Sequence, residues 1–287
     1  MFRRSAEFNG TANAYGNQTY AGNGATYQGY GAQQASTDPS TWSVGAPPTT
    51  PVSTAPMTID SVVQKTGLTL LVVIAAAVAT WLYIGDIQNG TTLADQTNAA
   101  QLSAALLIGS GGAFILSMVN SFKRVISPAL VLAFAALEGV ALGALSKFFD
   151  MYFGDGIVMQ AVIGTFAAFA GTLATYKFFD IQVGNRFRTF VIAAMFGMVG
   201  LSLLEMVLGL FGMPIGLFGT GGMGLLFAAA GLVLGVFMLI LDFDFVENGV
   251  RAGLPERESW RAAFALTVSL VWIYTNLLRI LAIMRGD

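Results

Sequence analysis

The sequence predicts an all-α membrane protein, a bundle of seven transmembrane helices preceded by a disordered polar N-terminal tail. Hydrophobic residues make up 55% of the 287-residue chain and charged residues only 10%, whereas soluble domains carry roughly 25% charged residues. Seven apolar runs follow one another, most of them about 17–25 residues long, the length that crosses a membrane as a helix. The stretch before the first run shows no apolar period.

Residues 1–57 form the predicted tail, and residues 58–287 form the predicted transmembrane domain. The tail is rich in Gly, Asn, Gln, Ser and Thr, a composition that buries no core. Four tyrosines are spaced through it: Tyr15, Tyr20, Tyr27 and Tyr30. We expect a solvated cytoplasmic segment, and the alternative is a segment that binds protein partners through these tyrosines.

The seven apolar runs are predicted to be helices because backbone groups in lipid need partners within their own segment. A membrane β-barrel would instead show alternating segments of about ten residues, and the sequence has no such pattern. The runs cover residues 68–84, 99–119, 126–145, 157–175, 190–211, 223–241 and 262–284.

The distribution of Lys and Arg predicts the orientation, because cytoplasmic loops carry an excess of these residues. Most of the 14 Lys and Arg residues fall in segments on the side of the N-terminus. The other side and the last helix hold only Lys147, Arg279 and Arg285. We therefore expect a multi-pass protein of a bacterial inner (plasma) membrane, with its N-terminus in the cytoplasm and its C-terminus outside.

Several function classes are excluded by residues that the sequence lacks. With no Cys and no His, the common nucleophile, general base and zinc ligands are missing. No Lys follows Lys177, as a retinal Schiff base would require, and no phosphate-binding GxxxxGK[ST] motif occurs. The net charge of −2 does not favour nucleic acid as a partner. We expect no enzyme activity and no resident cofactor.

Two small-xxx-small patterns, Gly139 to Gly143 and Gly231 to Gly235, are interpreted as sites of close helix packing. Such patterns allow the backbones of two membrane helices to approach each other.

Acidic residues inside the apolar runs are the candidate functional residues, because a charge at the bilayer centre costs about 2.5–3.5 kcal/mol even on insertion scales. Glu138 lies about 18 Å into the third run and therefore in mid-membrane. Glu205 lies about 24 Å into the fifth run, where it could reach towards the outside. For each residue the alternative is a structural carboxyl group that is hydrogen-bonded or solvated.

Asp242 and Asp244 end the sixth run near its cytoplasmic side. Alternating residues do not share a helix face, so one acid can face the bundle interior while the other meets the headgroups. We favour Asp242 as the inward acid, and Asp244 with Glu247 as a solvated helix end.

Carboxylates are ligands that Ca²⁺ accepts, and closely spaced buried carboxylates also take up protons together. We therefore hypothesise that Asp242, Glu138, Asp244 and Glu205 bind ions or sense pH. Asp242 and Glu138 are the candidate ligands of a transient Ca²⁺. The expected partners are the lipid bilayer and Ca²⁺ or H⁺.

Three stretches resemble the transmembrane Bax inhibitor motif family, in its bacterial branch. Residues 127–143 contain Glu-Gly followed by Leu-Gly, residues 239–249 contain the Asp-Phe-Asp segment, and residues 271–281 resemble the family's last helix. The resemblance covers residues 58–287, and the order and spacing of the three stretches make it fairly specific.

The resemblance implies a bundle whose last helix is surrounded by the other six, and a pH-sensitive calcium leak. Paired aspartates of the sixth and seventh helices would close its cytoplasmic side. Asp242 matches the sixth-helix aspartate best, with Asp244 second, whereas the seventh-helix aspartate has no counterpart. Depending on the register, its place falls at Ser269, Val271 or Asn276. Because this acid is missing, the alternative function is a non-conducting regulatory protein that binds membrane proteases or stress-response partners.

Overall fold

A computed structural model describes residues 55–86, 92–154, 156–179 and 181–286, and the described residues form seven helices and no strand. All seven are long and apolar enough to cross a membrane, which confirms the predicted fold class. The helices are α1 (Ile59–Tyr83), α2 (Leu93–Phe122), α3 (Pro128–Phe153), α4 (Ile157–Phe178), α5 (Asn185–Leu210), α6 (Gly222–Arg251) and α7 (Glu258–Gly286).

Contacts between helix ends show that α1, α3, α5 and α7 begin at the same end of the bundle, which we call the proximal end. There Lys65 of α1 forms an ion pair of 3.0 Å with Glu256, just before α7. Ser61 and Ser259, near the starts of α1 and α7, share a hydrogen bond of 2.6 Å. The opposite end, where α1 and α7 finish, is called the distal end.

The last helix, α7, is the most buried and occupies the centre of the bundle, as the resemblance implied. It packs directly against α1, α3, α4 and α6, whereas α2 and α5 pack chiefly on α3 and α6. The central helix therefore has four helices as its immediate neighbours, and the other two form an outer layer.

The glycines of both small-xxx-small patterns lie at close helix contacts, in agreement with the packing interpretation. A Cβ atom added at Gly143 of α3 would lie 2.9 Å from the Ala77 Cα of α1, and even closer to the Ala77 carbonyl oxygen. A Cβ atom at Gly235 of α6 would lie 2.7 Å from a side-chain carbon of Ile273 in α7. These two contacts set the spacing of α1 to α3 and of α6 to α7.

The predicted tail lies outside the described residues except for 55–57, and this short segment is fixed to the proximal end. The Met57 N–H donates to the Leu254 carbonyl oxygen at 2.6 Å, and the Glu256 N–H donates to the Ala55 carbonyl oxygen at 2.9 Å. The Met57 side chain is only 1% exposed and packs in a cluster with Phe243 of α6. The chain is therefore anchored to the α6–α7 connection before it enters α1.

Candidate functional site

Asp242 of α6 lies in the interface between α6 and α7, with Ser269 of α7 as its partner. The Ser269 hydroxyl donates to a carboxylate oxygen of Asp242 at 2.5 Å. Asp242 is nine residues from the end of α6, about 14 Å along the axis, and Ser269 is eleven residues into α7, about 16 Å. Of the three positions that could replace the seventh-helix aspartate, Ser269 is the one whose side chain forms a hydrogen bond with Asp242.

Asp244 faces α5 rather than α7, as expected for alternating residues of one helix. It is only 7% exposed, and its carboxylate forms an ion pair of 2.9 Å with Arg188, near the start of α5. One turn further along α6, the carboxylate of Glu247 accepts a hydrogen bond of 2.7 Å from the Tyr176 hydroxyl of α4 and pairs with Arg251. The prediction of a solvated helix end is therefore wrong for Asp244, which is buried against α5, while the partly exposed Glu247 is held by α4.

Glu138 is half-buried in α3, ten residues from its start and about 15 Å along the axis. Among the described residues, no hydrogen bond or ion pair involves its carboxylate, and none joins it to Asp242. The same part of the chain contains no group of three or more His, Cys, Asp or Glu residues that could hold a metal. The two candidate Ca²⁺ ligands therefore lie at a similar depth on two different helices.

Glu205 of α5 lies near the distal end and is 5% exposed. Its two carboxylate oxygens accept three backbone N–H groups of the α5–α6 connection, from Ile215, Gly216 and Leu217, at 2.9, 2.8 and 3.0 Å. Because charge-assisted hydrogen bonds are the stronger ones, Glu205 holds this connection against α5.

Arg279 of α7 is a residue whose role was not foreseen from the sequence. Its guanidinium donates to the Leu217 carbonyl oxygen at 2.6 Å and lies 5.1 Å and 5.8 Å from the ring centres of Phe218 and Phe227. A cation inside an apolar run is the sequence signal for such a residue, since a charge at that depth requires partners. The backbone of Leu217 is thus held on both sides: its N–H donates to Glu205 and its carbonyl oxygen accepts from Arg279.

A second distal contact joins α3 to the segment after α1. The buried Lys147 ammonium donates to the Asp86 carboxylate at 2.6 Å and lies 5.3 Å from the ring centre of Trp81. The hydrogen bond and the charge of Lys147 lower the pKa of the Asp86 carboxyl below its usual value.

The Asp86 contact predicts a pH dependence of stability. Because the pKa of Asp86 is lower in the folded protein, its contact with Lys147 stabilises the fold fully above the pKa of the unfolded chain, about 3.9. This stabilisation is lost as the pH falls through the pKa of Asp86 in the folded protein. We expect the unfolding temperature in detergent to fall below about pH 4, and to fall less steeply in Asp86→Asn. Asp60→Asn, which changes an exposed acid of α1, is the control. The prediction would be contradicted if the unfolding temperature of Asp86→Asn fell with pH as steeply as that of the wild type.

A groove of about 500 Å³ lies between α1, α3, α4 and α7. Its wall is apolar apart from a few groups, and the hydroxyls of Ser146 and Tyr274 are hydrogen-bonded to each other at 2.6 Å. Asp242 and Glu138 do not line this groove, so it is separate from the candidate acids.

A family model described as Bax inhibitor 1 like matches residues 1–286. The match extends over residues 1–57 as well as over the transmembrane part that carries the sequence resemblance. No curated protein matches the chain.

Proposed function

We propose, since the chain belongs to the Bax inhibitor 1 like family, that it forms a pH-sensitive cation leak in a bacterial inner membrane. The transported ion would be Ca²⁺ or H⁺, with Asp242 and Glu138 as the residues that attract it. The ion is cargo, bound transiently, because the described residues offer no cluster of three ligands.

The observation that carries the proposal is the position of Asp242 between α6 and α7. A carboxylate at this depth in an apolar helix is costly, so acids are rare there and mark ion or proton pathways. The hydrogen bond from Ser269 reaches one of the two carboxylate oxygens of Asp242. Glu138 lies at a similar depth in α3, which also packs against α7. Two carboxylates around the central helix would attract a cation to the same level of the bundle.

The proposed orientation places the proximal end in the cytoplasm. Cations in the described residues gather at this end, as the excess of Lys and Arg in cytoplasmic loops requires. They are Lys65, Lys123, Arg124, Lys177, Arg186, Arg188, Arg251, Arg257 and Arg261. In this orientation Asp242 and Ser269 lie in the cytoplasmic half of the bundle, and the C-terminus lies outside.

The proposed pH sensitivity follows from the charge of the carboxylates, because only an ionised carboxylate attracts a cation. We expect flux to fall as protons occupy Asp242. The charged and titratable groups nearest the proximal end of α6 are already paired: Asp244 with Arg188, and Glu247 with Tyr176 and Arg251. With no His in the chain, carboxylates are the groups available for this response.

The test is Ca²⁺ entry into liposomes that contain the full-length protein and an entrapped calcium dye, measured between pH 6 and pH 8. We expect entry above the rate of protein-free liposomes. Asp242→Asn should reduce the rate by on the order of tenfold if removing the charge costs about 1.4 kcal/mol, and should remove the pH dependence. Asp60→Asn, the same change at an exposed proximal position, is expected to leave both unchanged.

Equal entry with and without the protein would refute the leak. Entry that is unaltered in Asp242→Asn and in Glu138→Gln would refute the choice of residues, while the leak itself would stand. Folding of each variant is checked by its unfolding temperature before reconstitution.

A non-conducting regulatory protein is the second candidate, favoured by the hydroxyl of Ser269 in the place of a second acid. A hydroxyl–carboxylate pair cannot share a proton as two carboxylates do. In this case the chain would bind membrane proteases or stress-response partners through residues 1–54. A pull-down with the full chain that loses its partners when these residues are removed, together with absent flux, would support this candidate over the leak.

A further inference from the structure

The connection between α2 and α3 presents two adjacent cations at the proximal end, Lys123 and Arg124. Both side chains are exposed. Among the residues that the structure describes, neither side chain has an ion pair with an acid. Two neighbouring positive charges thus remain available to an external anion at the membrane surface.

A third cation from another helix converges on this connection. Arg261, in the first turns of α7, donates from its guanidinium to the Arg124 carbonyl oxygen at 3.0 Å. The same guanidinium also forms an ion pair of 2.9 Å with Glu258 of its own helix. The cluster formed by Lys123, Arg124 and Arg261 therefore combines three cations with a single carboxylate, and it retains a positive charge.

Apolar side chains flank the two cations and place them at the level of the lipid headgroups. Phe122, the last residue of α2, is 82% exposed, and Val125 is 47% exposed. Phe122 ends α2 and Val125 lies three residues before the start of α3, and both helices are long enough to cross the membrane. At such a position the exposed phenyl ring of Phe122 meets the lipid, while the charged ends of Lys123 and Arg124 reach the headgroups.

We propose that the cluster of Lys123, Arg124 and Arg261 binds the headgroup of an anionic phospholipid. The planar guanidinium groups offer paired N–H donors that match phosphate oxygens, and the ammonium of Lys123 adds a point charge. Basic residues beside transmembrane helices recognise anionic lipids in this way. Binding would join α7 to the α2–α3 connection, because the headgroup is held from both.

An alternative explanation is that these cations only set the topology of the chain, which requires no bound lipid. The α4–α5 connection separates the two explanations. Lys177 and Arg186 are also exposed cations at the proximal end, and the exposed Phe178 lies beside Lys177. Among the described residues, no guanidinium of another helix bonds to this connection. It therefore matches the α2–α3 connection in having two exposed cations, but it lacks a guanidinium donated by another helix.

The test is a titration of the full-length protein in detergent with phosphatidylglycerol or phosphatidylcholine, followed by native mass spectrometry of the lipid-bound species. We expect phosphatidylglycerol to bind more tightly than phosphatidylcholine. The double variant Lys123→Gln/Arg124→Gln should weaken phosphatidylglycerol binding on the order of tenfold. The matched double variant Lys177→Gln/Arg186→Gln should leave it within about twofold.

A single change in α7, Arg261→Gln, is expected to weaken phosphatidylglycerol binding as well, although this residue lies on a different segment. This single variant also tests the proposal if the double variant at the α2–α3 connection does not fold. Equal losses in the two double variants would show that only the overall surface charge acts, and the proposal would be overturned. Equal binding of the two lipids, or unchanged binding in Arg261→Gln, would overturn it too.

Discussion

Gly143→Ala is expected to destabilise the bundle by about 1–3 kcal/mol, because the added methyl group would overlap the backbone of α1. The Cβ atom would lie 2.9 Å from the Ala77 Cα and closer still to the Ala77 carbonyl oxygen. Backbone atoms of a packed helix cannot turn aside as a flexible side chain does, so α1 and α3 would have to separate. The unfolding temperature in detergent measures the effect.

Gly197→Ala in α5 is the matched control for this prediction, because nothing lies within 4 Å of the added Cβ atom there. Both substitutions favour the helix by up to about 1 kcal/mol through the higher helix propensity of alanine, so their difference isolates the clash. We expect the control to be as stable as the wild type or slightly more stable. An unfolding temperature that rises equally in both variants would refute the tight α1–α3 contact.

The α1–α3 contact also bears on the candidate site. Gly139, next to Glu138, packs against α1 as Gly143 does: its added Cβ atom would lie 2.7 Å from the Ala76 Cβ. With two glycines one turn apart fixed on α1, α3 cannot rotate about its axis without losing the contact. The direction of the Glu138 side chain is therefore set by packing at its neighbour.

The positions of the seven helices could be predicted from the sequence, because hydropathy over a membrane's thickness is a strong signal. Their ends were harder to predict. The run at 99–119 corresponds to a helix that already begins at Leu93, because the side chain of Thr92 accepts the Asp95 N–H at 3.0 Å and caps it. The run at 223–241 continues to Arg251, because Asp244 and Glu247 find partners on α5 and α4.

The candidate residues could be found from the sequence, but their partners could not. Three residues of α7 were possible neighbours of Asp242, since hydropathy does not determine how far two helices are shifted along each other. The shift that brings Ser269 to Asp242 follows from close packing at Gly231 and Gly235. The partners of Glu205 are backbone N–H groups of a connection, and a backbone group leaves no pattern in the sequence.

Glu205→Ala is expected to destabilise the protein by about 1–3 kcal/mol, because three backbone N–H groups would lose their acceptor and an unpaired buried group costs about that much. Leu217 is buried, whereas Ile215 is 46% exposed and its N–H can turn to water. The hydrogen bond from Arg279 to the Leu217 carbonyl oxygen would then be left to hold the Leu217 backbone. The α5–α6 connection should detach from α5, and protease cleavage within it should become faster. The unfolding temperature and limited proteolysis measure these effects.

Glu205→Gln and Glu138→Gln separate this structural role from ion binding. The substitution Glu205→Gln keeps one acceptor oxygen, so we expect a smaller loss of stability than in Glu205→Ala. Glu138→Gln should change stability little, because the Glu138 carboxylate has no hydrogen-bond partner among the described residues.

The effects on Ca²⁺ entry into liposomes should be the opposite of the effects on stability. At equal amounts of folded protein, Glu138→Gln should reduce Ca²⁺ entry and Glu205→Gln should not. A folded, fully stable Glu205→Gln variant without Ca²⁺ entry would instead assign ion binding to Glu205. The two carboxylates thus differ in their hydrogen bonding. Glu205 accepts three backbone N–H groups, whereas Glu138 remains available to a passing cation.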